Sequence, residues 1–251
     1  VLELHDMTVA FGRRQIVRSA SATIAGGMLT AVIGPNGAGK STLFKAAAGL
    51  LPSTGIVKLH GRPLPPRDRQ NAVVYMAQDI AATSSLTLLE VILLGRLRSL
   101  GLLVSRTLAA EAEAALERFG LASLQTRTLA EVSGGQRQLV FLAQALFRQP
   151  QALLLDEPTA ALDLRHQLVV LETVGQYARD HGISVAIAMH DLSLAVQFAG
   201  HIICLSGGAV DAAGPPSAVL DTERLRRLYG VEAEVWRTGS GYWQVMPRRA
   251  V

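Results

Sequence analysis

Gly34-Pro35-Asn36-Gly37-Ala38-Gly39-Lys40-Ser41-Thr42 is the stretch that decides the fold. It follows a short apolar run, Met28 to Ile33, that reads as a buried strand. It precedes Ser41 to Leu50, which has helical character. Glycines at this spacing let the backbone wrap a phosphate chain with its N–H groups pointing inward. The following helix presents its positive N-terminus. Lys40 can reach the β- and γ-phosphates of a nucleotide, and Ser41 can ligate Mg²⁺. Only Lys40, Lys45 and Lys58 are lysines in the whole chain, so a lysine at this place is informative.

The same alternation of strand and helix resumes after Pro150. Ala152–Leu155 reads as an apolar strand ending in Asp156-Glu157-Pro158. Asp156, at the strand tip, can hold Mg²⁺ through water. Glu157 can polarise an attacking water as general base. Pro158 cannot extend a central strand and ends it. A third strand, Ile183–Met189, runs into His190 and then a short helix from Asp191. A strand tip is where a phosphate-facing side chain belongs.

Outward from these motifs, residues 1–33 read as strands, with Leu2 and Leu4 alternating with Glu3 and His5 and a turn at Gly26-Gly27. Residues 53–61 and 72–76 read as strands separated by a Pro/Arg-rich loop, Arg62–Arg69. The middle is helical. Thr87 and Glu90 form a capping box, and Leu88, Val91, Ile92, Leu94, Leu97 and Leu100 recur at helical spacing. A second helix covers Ala109 to Phe119. Val132-Ser133-Gly134-Gly135-Gln136 precedes a helix over Gln138–Arg148. Ser133 suits an N-cap, so the segment reads either as an ordinary capped loop or as a second anion site at a helix N-terminus. One nucleotide needs one phosphate loop, so the second site points to a phosphate brought by another subunit. Leu162–Asp180 and Leu220–Tyr229 read as helices, and Val231–Trp236 with Tyr242–Val245 as a terminal hairpin.

Composition bounds the function. The 251 residues are 49% hydrophobic and 18% charged, with a net charge of +4, which excludes a disordered chain. Cys204 is the single cysteine, which excludes a disulfide scaffold. No window approaches ~18 uncharged apolar residues, which argues against a membrane span. VLELHDMTVAF carries no secretory pattern, so a cytoplasmic protein is expected. Arginines are spread along the chain without aromatic interleaving, so no nucleic-acid partner is expected. The mean hydropathy of +0.29 hints at a buried partner surface or an Ala- and Leu-rich core.

In order, the chain carries the phosphate loop, Gln78, Ser-Gly-Gly-Gln, Leu-Leu-Leu-Asp-Glu-Pro, Ala161-Leu162-Asp163 and His190. It resembles the ATP-binding subunit of ATP-binding cassette (ABC) transporters over almost its whole length. The resemblance implies an α/β fold. This is a P-loop NTPase core of the ABC ATPase type, with an antiparallel β subdomain and a helical insert. It implies a single ABC ATPase domain over 1–251, with 1–79 and 151–251 as the core and 80–150 as a helical subdomain carrying the signature motif. The implied cofactors are ATP and Mg²⁺, with Ser41, Gln78 and Asp156 around the metal and Glu157, His190 and Gln78 in catalysis. Gly34, Asn36, Gly37, Ala38, Gly39, Lys40, Ser41 and Thr42 would hold the phosphates, and Phe11 would stack on adenine where Tyr is more usual. Ser133, Gly134, Gly135 and Gln136 would act in trans, and Asp163 would lie at the dimer interface. Ala77 stands where Pro is often found, and Val132 where Leu is commoner.

The implied partners are a second copy of the chain in an ATP sandwich, a separate permease and, indirectly, a solute-binding protein. A groove near Ala82–Leu94, within the apolar insert Leu86–Leu103, would receive a cytoplasmic helix of the permease. The chain would sit peripherally on the cytoplasmic face of the inner membrane. Ala161 to Gln167, His190 to Ala195 and the stretch from Val219 to Gly230 are similar to importers of iron-siderophore complexes, haem and cobalamin. An exporter ATPase and a soluble, non-transport ABC ATPase are the alternatives.

Overall fold

The computed structural model describes residues 1–78, 84–96, 104–239, 241 and 243–251. Leu97, Leu100 and Tyr242, assigned above to helix and hairpin, lie outside them, as do Ala82 and residues 97–103 at the end of the apolar insert. The chain opens with β1 (Leu2–Phe11), β2 (Arg14–Ile24) and β3 (Met28–Ile33), then α1 (Lys40–Ala47). It continues through β4 (Thr54–Leu59), β5 (Arg62–Pro63), α2 (Pro66–Ala72) and β6 (Val73–Met76). Next come α3 (Leu88–Leu94), α4 (Arg106–Glu117), α5 (Gly134–Phe147), β7 (Ala152–Asp156) and α6 (Leu164–His181). The last stretch holds β8 (Ser184–Ala188), α7 (Leu192–Phe198), β9 (His201–Ser206), β10 (Ala209–Gly214), α8 (Pro216–Val219), α9 (Thr222–Tyr229), β11 (Val231–Arg237) and β12 (Trp243–Ala250).

Two compact units share this chain. The first comprises Val1–Tyr75, Gln151–Glu157 and Val174–Val251; the second comprises Met76–Pro150 and Pro158–Thr173. In the first unit a four-stranded sheet of order β2-β1-β4-β5 faces a larger one. The larger sheet has the order β10-β9-β3-β8-β7-β6, with β9, β3, β8 and β7 mutually parallel. The near-continuous apolar runs of β3, β7 and β8 suit strands covered on both faces. Between the sheets, α1 contributes Leu43 and Phe44 to one core shared with Leu2, Met7, Val57, Leu154 and Ile203.

β1 shows how the register is set. Its buried residues are Leu2 and Leu4, then Met7 and Val9, so the inward face changes parity in mid-strand. A one-residue slip would turn every later side chain outward. A bulge absorbs it: Asp6 takes φ 50° and the pairing with β2 shifts between Leu4 and Met7. Gly55 in β4 accommodates the bulge, because a Cβ there would lie 2.6 Å from the carbonyl oxygens of both His5 and Asp6.

Three sequence expectations are corrected. Arg62–Arg69 is not only loop: it holds β5 and most of α2, a helix started by Pro66 in its first turn. It is held by Arg69, whose buried guanidinium donates to Leu64 O and Ala46 O, both at 3.0 Å. The helix expected from Gln138 begins at Gly134, because Ser133 and Gln136 close a capping box. The helix expected over Leu220–Tyr229 starts two residues later, where Asp221 caps it by accepting from Arg224 N at 2.7 Å.

The second unit packs α3, α4 and α5 together around Leu88, Ile92, Leu116, Leu139 and Leu142. Arg96 ties them: it donates to Phe147 O at 2.5 Å, pairs with Glu111 at 2.6 Å and lies over the Phe147 ring. Thr87 and Glu90 form the expected capping box. Of the expected groove, Leu88, Val91, Ile92 and Leu93 are buried and Leu94 is exposed. Among the described residues no helix is long and apolar enough to cross a membrane.

Candidate nucleotide site

The parallel strands of the first unit end level with one another. Val32 and Asp156 both pair with Ala188, so the loops after β3, β7 and β8 leave from one edge. That edge, outside the carboxyl ends of parallel strands, is where α/β folds bind ligands. It carries Gly34–Thr42, Asp156, Glu157 and His190.

The phosphate loop is shaped by close approach. Gly34 has φ 150°, and a Cβ on it would stand 2.1 Å from Leu205 O on β9. Gly39, at φ 100°, opens α1 as its N-cap. Lys40 is buried, and its Nζ donates to Gly34 O at 2.8 Å and Pro35 O at 3.2 Å. Burial lowers its pKa, while Glu157 and then Asp156 oppose that by attracting the positive charge. Ser41 and Thr42, next along α1, are half-buried, and Asn36 and Gly37 are exposed at the loop tip.

Asp156 is buried. Its Oδ2 accepts from the Tyr75 hydroxyl at 3.0 Å, while Oδ1 has no protein donor. A buried carboxylate oxygen without a partner is costly unless a cation or water meets it. The residues therefore fit Mg²⁺, which favours a carboxylate, a hydroxyl, waters and substrate phosphates over a cage built wholly of protein. Among the described residues no three His, Cys, Asp or Glu side chains gather as such a cage. Burial, followed by the Asp156 charge and hydrogen bond, pushes the Tyr75 phenol well above its usual range, so it stays a donor. Tyr75 was missed in the sequence, where it reads as one more residue of an apolar strand.

Glu157 takes φ 51° immediately after the strand, and its amide donates to Ala188 O at 3.2 Å. This uncommon backbone conformation turns the side chain to His190, whose Nε2 hydrogen-bonds Glu157 Oε1. Glu157 is 13% exposed and His190 43%. Phe11 ends β1 and is 55% exposed, an uncovered aromatic face on the same unit.

The other motif residues belong to the second unit. Gln78 is exposed. Ser133 Oγ accepts from Gln136 N at 3.2 Å, and Gln136 Oε1 accepts from Ser133 N at 3.0 Å. Gly134 is exposed, and Gly135 sits against the turn before α6, where a Cβ would lie 3.2 Å from Leu162 Cδ2. Asp163 is exposed, and its Oδ1 accepts from His166 N at 2.9 Å.

Residues 17–160 match the family model described as ABC transporter. The hemin import ATP-binding protein HmuV of Rhodopseudomonas palustris (strain HaA2) is 37% identical, over 98% of this chain and 97% of that protein. The phosphonates import ATP-binding protein PhnC of Alcaligenes faecalis is also 37% identical, over 92% and 89%. The ATP-binding cassette MJ0796, in a dimeric post-hydrolysis state with ADP and Pi, superposes with a TM-score of 0.76. It is 24% identical and covers 86% of this chain and 98% of its own. Cassette fold, phosphate loop and relatives agree: the chain belongs to the ABC transporter family, as a subunit that binds and hydrolyses ATP.

Proposed function

We propose that this chain is the motor of an importer, driving a separate permease that takes up an iron complex, with haem as the first candidate. The observation that carries the catalytic part is the Glu157–His190 pair at the strand edge that also bears Lys40 and Asp156. Incoming phosphate oxygens exchange with Gly34 O and Pro35 O for the Lys40 ammonium. Its burial strengthens that attraction. The amides that open α1 face the same phosphates. Ser41 and Asp156, the latter through its unpartnered Oδ1, would hold Mg²⁺, which neutralises charge on the phosphate oxygens. Glu157 accepts the proton of the attacking water as its oxygen bonds the γ-phosphorus and the bridging oxygen leaves with ADP. In the structure His190 occupies that carboxylate. Turning its N–H to the γ-phosphate frees Glu157 to act as base.

The remaining roles are proposed on the motif pattern. Asn36, Gly37, Ala38, Gly39 and Thr42 line the phosphates, and Phe11 stacks on adenine. Ser133 accepts a bond from Gln136 N yet keeps its own proton, free to donate to a phosphate of a second copy. Gly134, Gly135 and Gln136 complete that in-trans site, Asp163 meets the dimer partner, and Gln78 relays between the metal site and the permease. The two units work as one motor domain. The permease binds near Leu86–Leu94, the chain lies on the cytoplasmic face of the inner membrane, and a solute-binding protein delivers the cargo. ATP favours the closed dimer and hydrolysis reopens it, a ligand-driven shift of populations.

Haem is favoured by the hemin relative, similar over nearly both full lengths, while the Ala161–Gln167 pattern supports the wider class of iron-siderophore, haem and cobalamin importers. The phosphonate relative, at equal identity, defines the competing cargo. The test is to purify Glu157→Gln with ATP and Mg²⁺ from detergent-solubilised membranes of its own cells. The wild-type complex is then reconstituted in vesicles with its binding protein. A co-purifying polytopic permease, with ATP hydrolysis stimulated by haemin, is expected. Soluble partners alone would overturn the motor reading, and stimulation by phosphonate but not haemin would overturn the cargo.

A further inference from the structure

The pattern Arg165-His166-Gln167 is not used by the chemistry above, yet two of its side chains are committed to the turn before α6. Gln167 Nε2 donates to Thr159 O and to Leu162 O, both at 3.2 Å. These carbonyls bracket a turn closed by Leu162 N donating to Thr159 O at 3.2 Å. A primary amide has two N–H donors, one for each carbonyl. His166 acts on the next residue. Its backbone N and its Nδ1 both meet Asp163 Oδ1, at 2.9 and 2.8 Å. With Oδ1 engaged twice, the carboxylate is fixed in rotation and Oδ2 is turned outward on a side chain two-thirds exposed. The backbone bond and then the imidazole bond hold the Asp163 carboxyl below its usual range, so it stays charged. The turn that Gln167 clamps also supports the signature segment, since the Gly135 Cα faces Leu162 Cδ2 and Ala161 O with room for no more than a tight Cβ.

We propose that His166 and Gln167 are positioning residues for ATP-driven dimer closure. Gln167 fixes the Thr159–Leu162 turn on which Gly135 rests, and His166 fixes the direction in which Asp163 Oδ2 is offered to the second copy. This rests on the ATP-sandwich reading above. Neither residue belongs to the unit that carries the phosphate loop, so neither changes the affinity of one chain for ATP. Their effect is on the second, intermolecular contact.

The test uses the full chain in a Glu157→Gln background, with the dimer dissociation constant measured by sedimentation in ATP and Mg²⁺. Gln167→Glu keeps the size of the side chain and removes both donors; it is expected to weaken the dimer about tenfold, because the turn under Gly135 is then no longer fixed before the two copies meet. His166→Ala should weaken it by about tenfold as well, whereas His166→Asn, which keeps a donor near the Nδ1 position, should restore it to within about threefold. Fluorescent-ATP affinity of the isolated chain should match the parent in all three; the melting temperature should hold in the two His166 variants and fall by a few degrees in Gln167→Glu, where Thr159 O and Leu162 O lose their donors. If Gln167→Glu and His166→Ala dimerise like the parent, or if Asn fails to restore what Ala removes, the positioning role is wrong. A fall in single-chain ATP affinity, or dimer loss in His166→Ala that tracks a fall in its melting temperature, would also overturn it. If Glu157→Gln itself stays monomeric, it is the sandwich reading that has failed.

Discussion

Gly34→Ala is the sharpest test of how the phosphate loop is built. A Cβ at this position lies 2.1 Å from Leu205 O and 3.1 Å from Leu205 C, whereas real Cβ atoms stay beyond 3.0 Å of such an oxygen. Relief needs a movement of about 0.9 Å, and the obstacle is backbone of the paired strand β9, not the end of a flexible side chain. The residue must also hold φ 150°, a region essentially reserved for glycine. Strain of about 1–3 kcal/mol and overpacking of about 1–3 kcal/mol combine to about 2–6 kcal/mol. For a chain of this size that is a fall of about 10 °C in melting temperature. Gly37→Ala is the control. It too has positive φ, at 77°, but its Cβ would meet nothing within 4 Å, so about 1 kcal/mol and about 3 °C are expected. Scanning calorimetry of both variants, with and without ATP and Mg²⁺, reads the difference. Gly34→Ala should also lose the stabilisation that ATP gives, because residue 34 is the first of the loop and its displacement from β9 moves the loop with it. If both variants melt together, or if Gly34→Ala keeps full ATP stabilisation, the close approach does not shape the loop.

Other expectations follow from single contacts. Tyr75→Phe removes the donor to Asp156 Oδ2 and leaves the carboxylate less firmly oriented; a stability loss of about 1 kcal/mol and a raised Mg²⁺ requirement for ATP hydrolysis should appear in a metal titration. Arg69→Ala strands Ala46 O and Leu64 O without their donor, and urea unfolding should show a loss of about 2–4 kcal/mol. Burial holds the His201 imidazole below its ordinary value, and its Nε2 is buried without a protein partner. The unfolded chain takes up that proton first, so the stability this ring contributes is intact above about pH 6.5 and is lost as pH falls toward the depressed folded value. Melting temperatures of His201→Gln should therefore fall less between neutral and acid pH than those of the wild type.

The phosphate loop and the two acidic and histidine strand tips were legible because each is written in one continuous segment: apolar strand, glycines, polar residue, helix. Thr87–Glu90 was legible for the same reason, since a capping box spans four residues. What escaped is set by contacts far apart in sequence or by local rules in competition. Tyr75 and Asp156 meet across 81 positions, and His190 and Glu157 across 33. Nothing near Tyr75 marks it as anything but a strand residue. Arg69 anchors α2 through carbonyls of another helix and a loop, so a Pro- and Arg-rich stretch hides a helix. Two glycines argue against a helix at 134 and 135, and the Ser133–Gln136 box overrides them. Asp221, an ordinary acid within an apparently helical run, instead starts a new helix as its cap. Glycine 55 explains the bulge in β1 only once both strands are paired.

The measurement closest to the central claim is the light-scattering mass of Glu157→Gln with ATP and Mg²⁺, beside its nucleotide content and turnover. A base-less site with an intact phosphate loop should give a dimer that retains one uncleaved ATP per chain, while ADP leaves it monomeric. A monomer that binds ATP, or a variant that hydrolyses ATP at the wild-type rate, would contradict it.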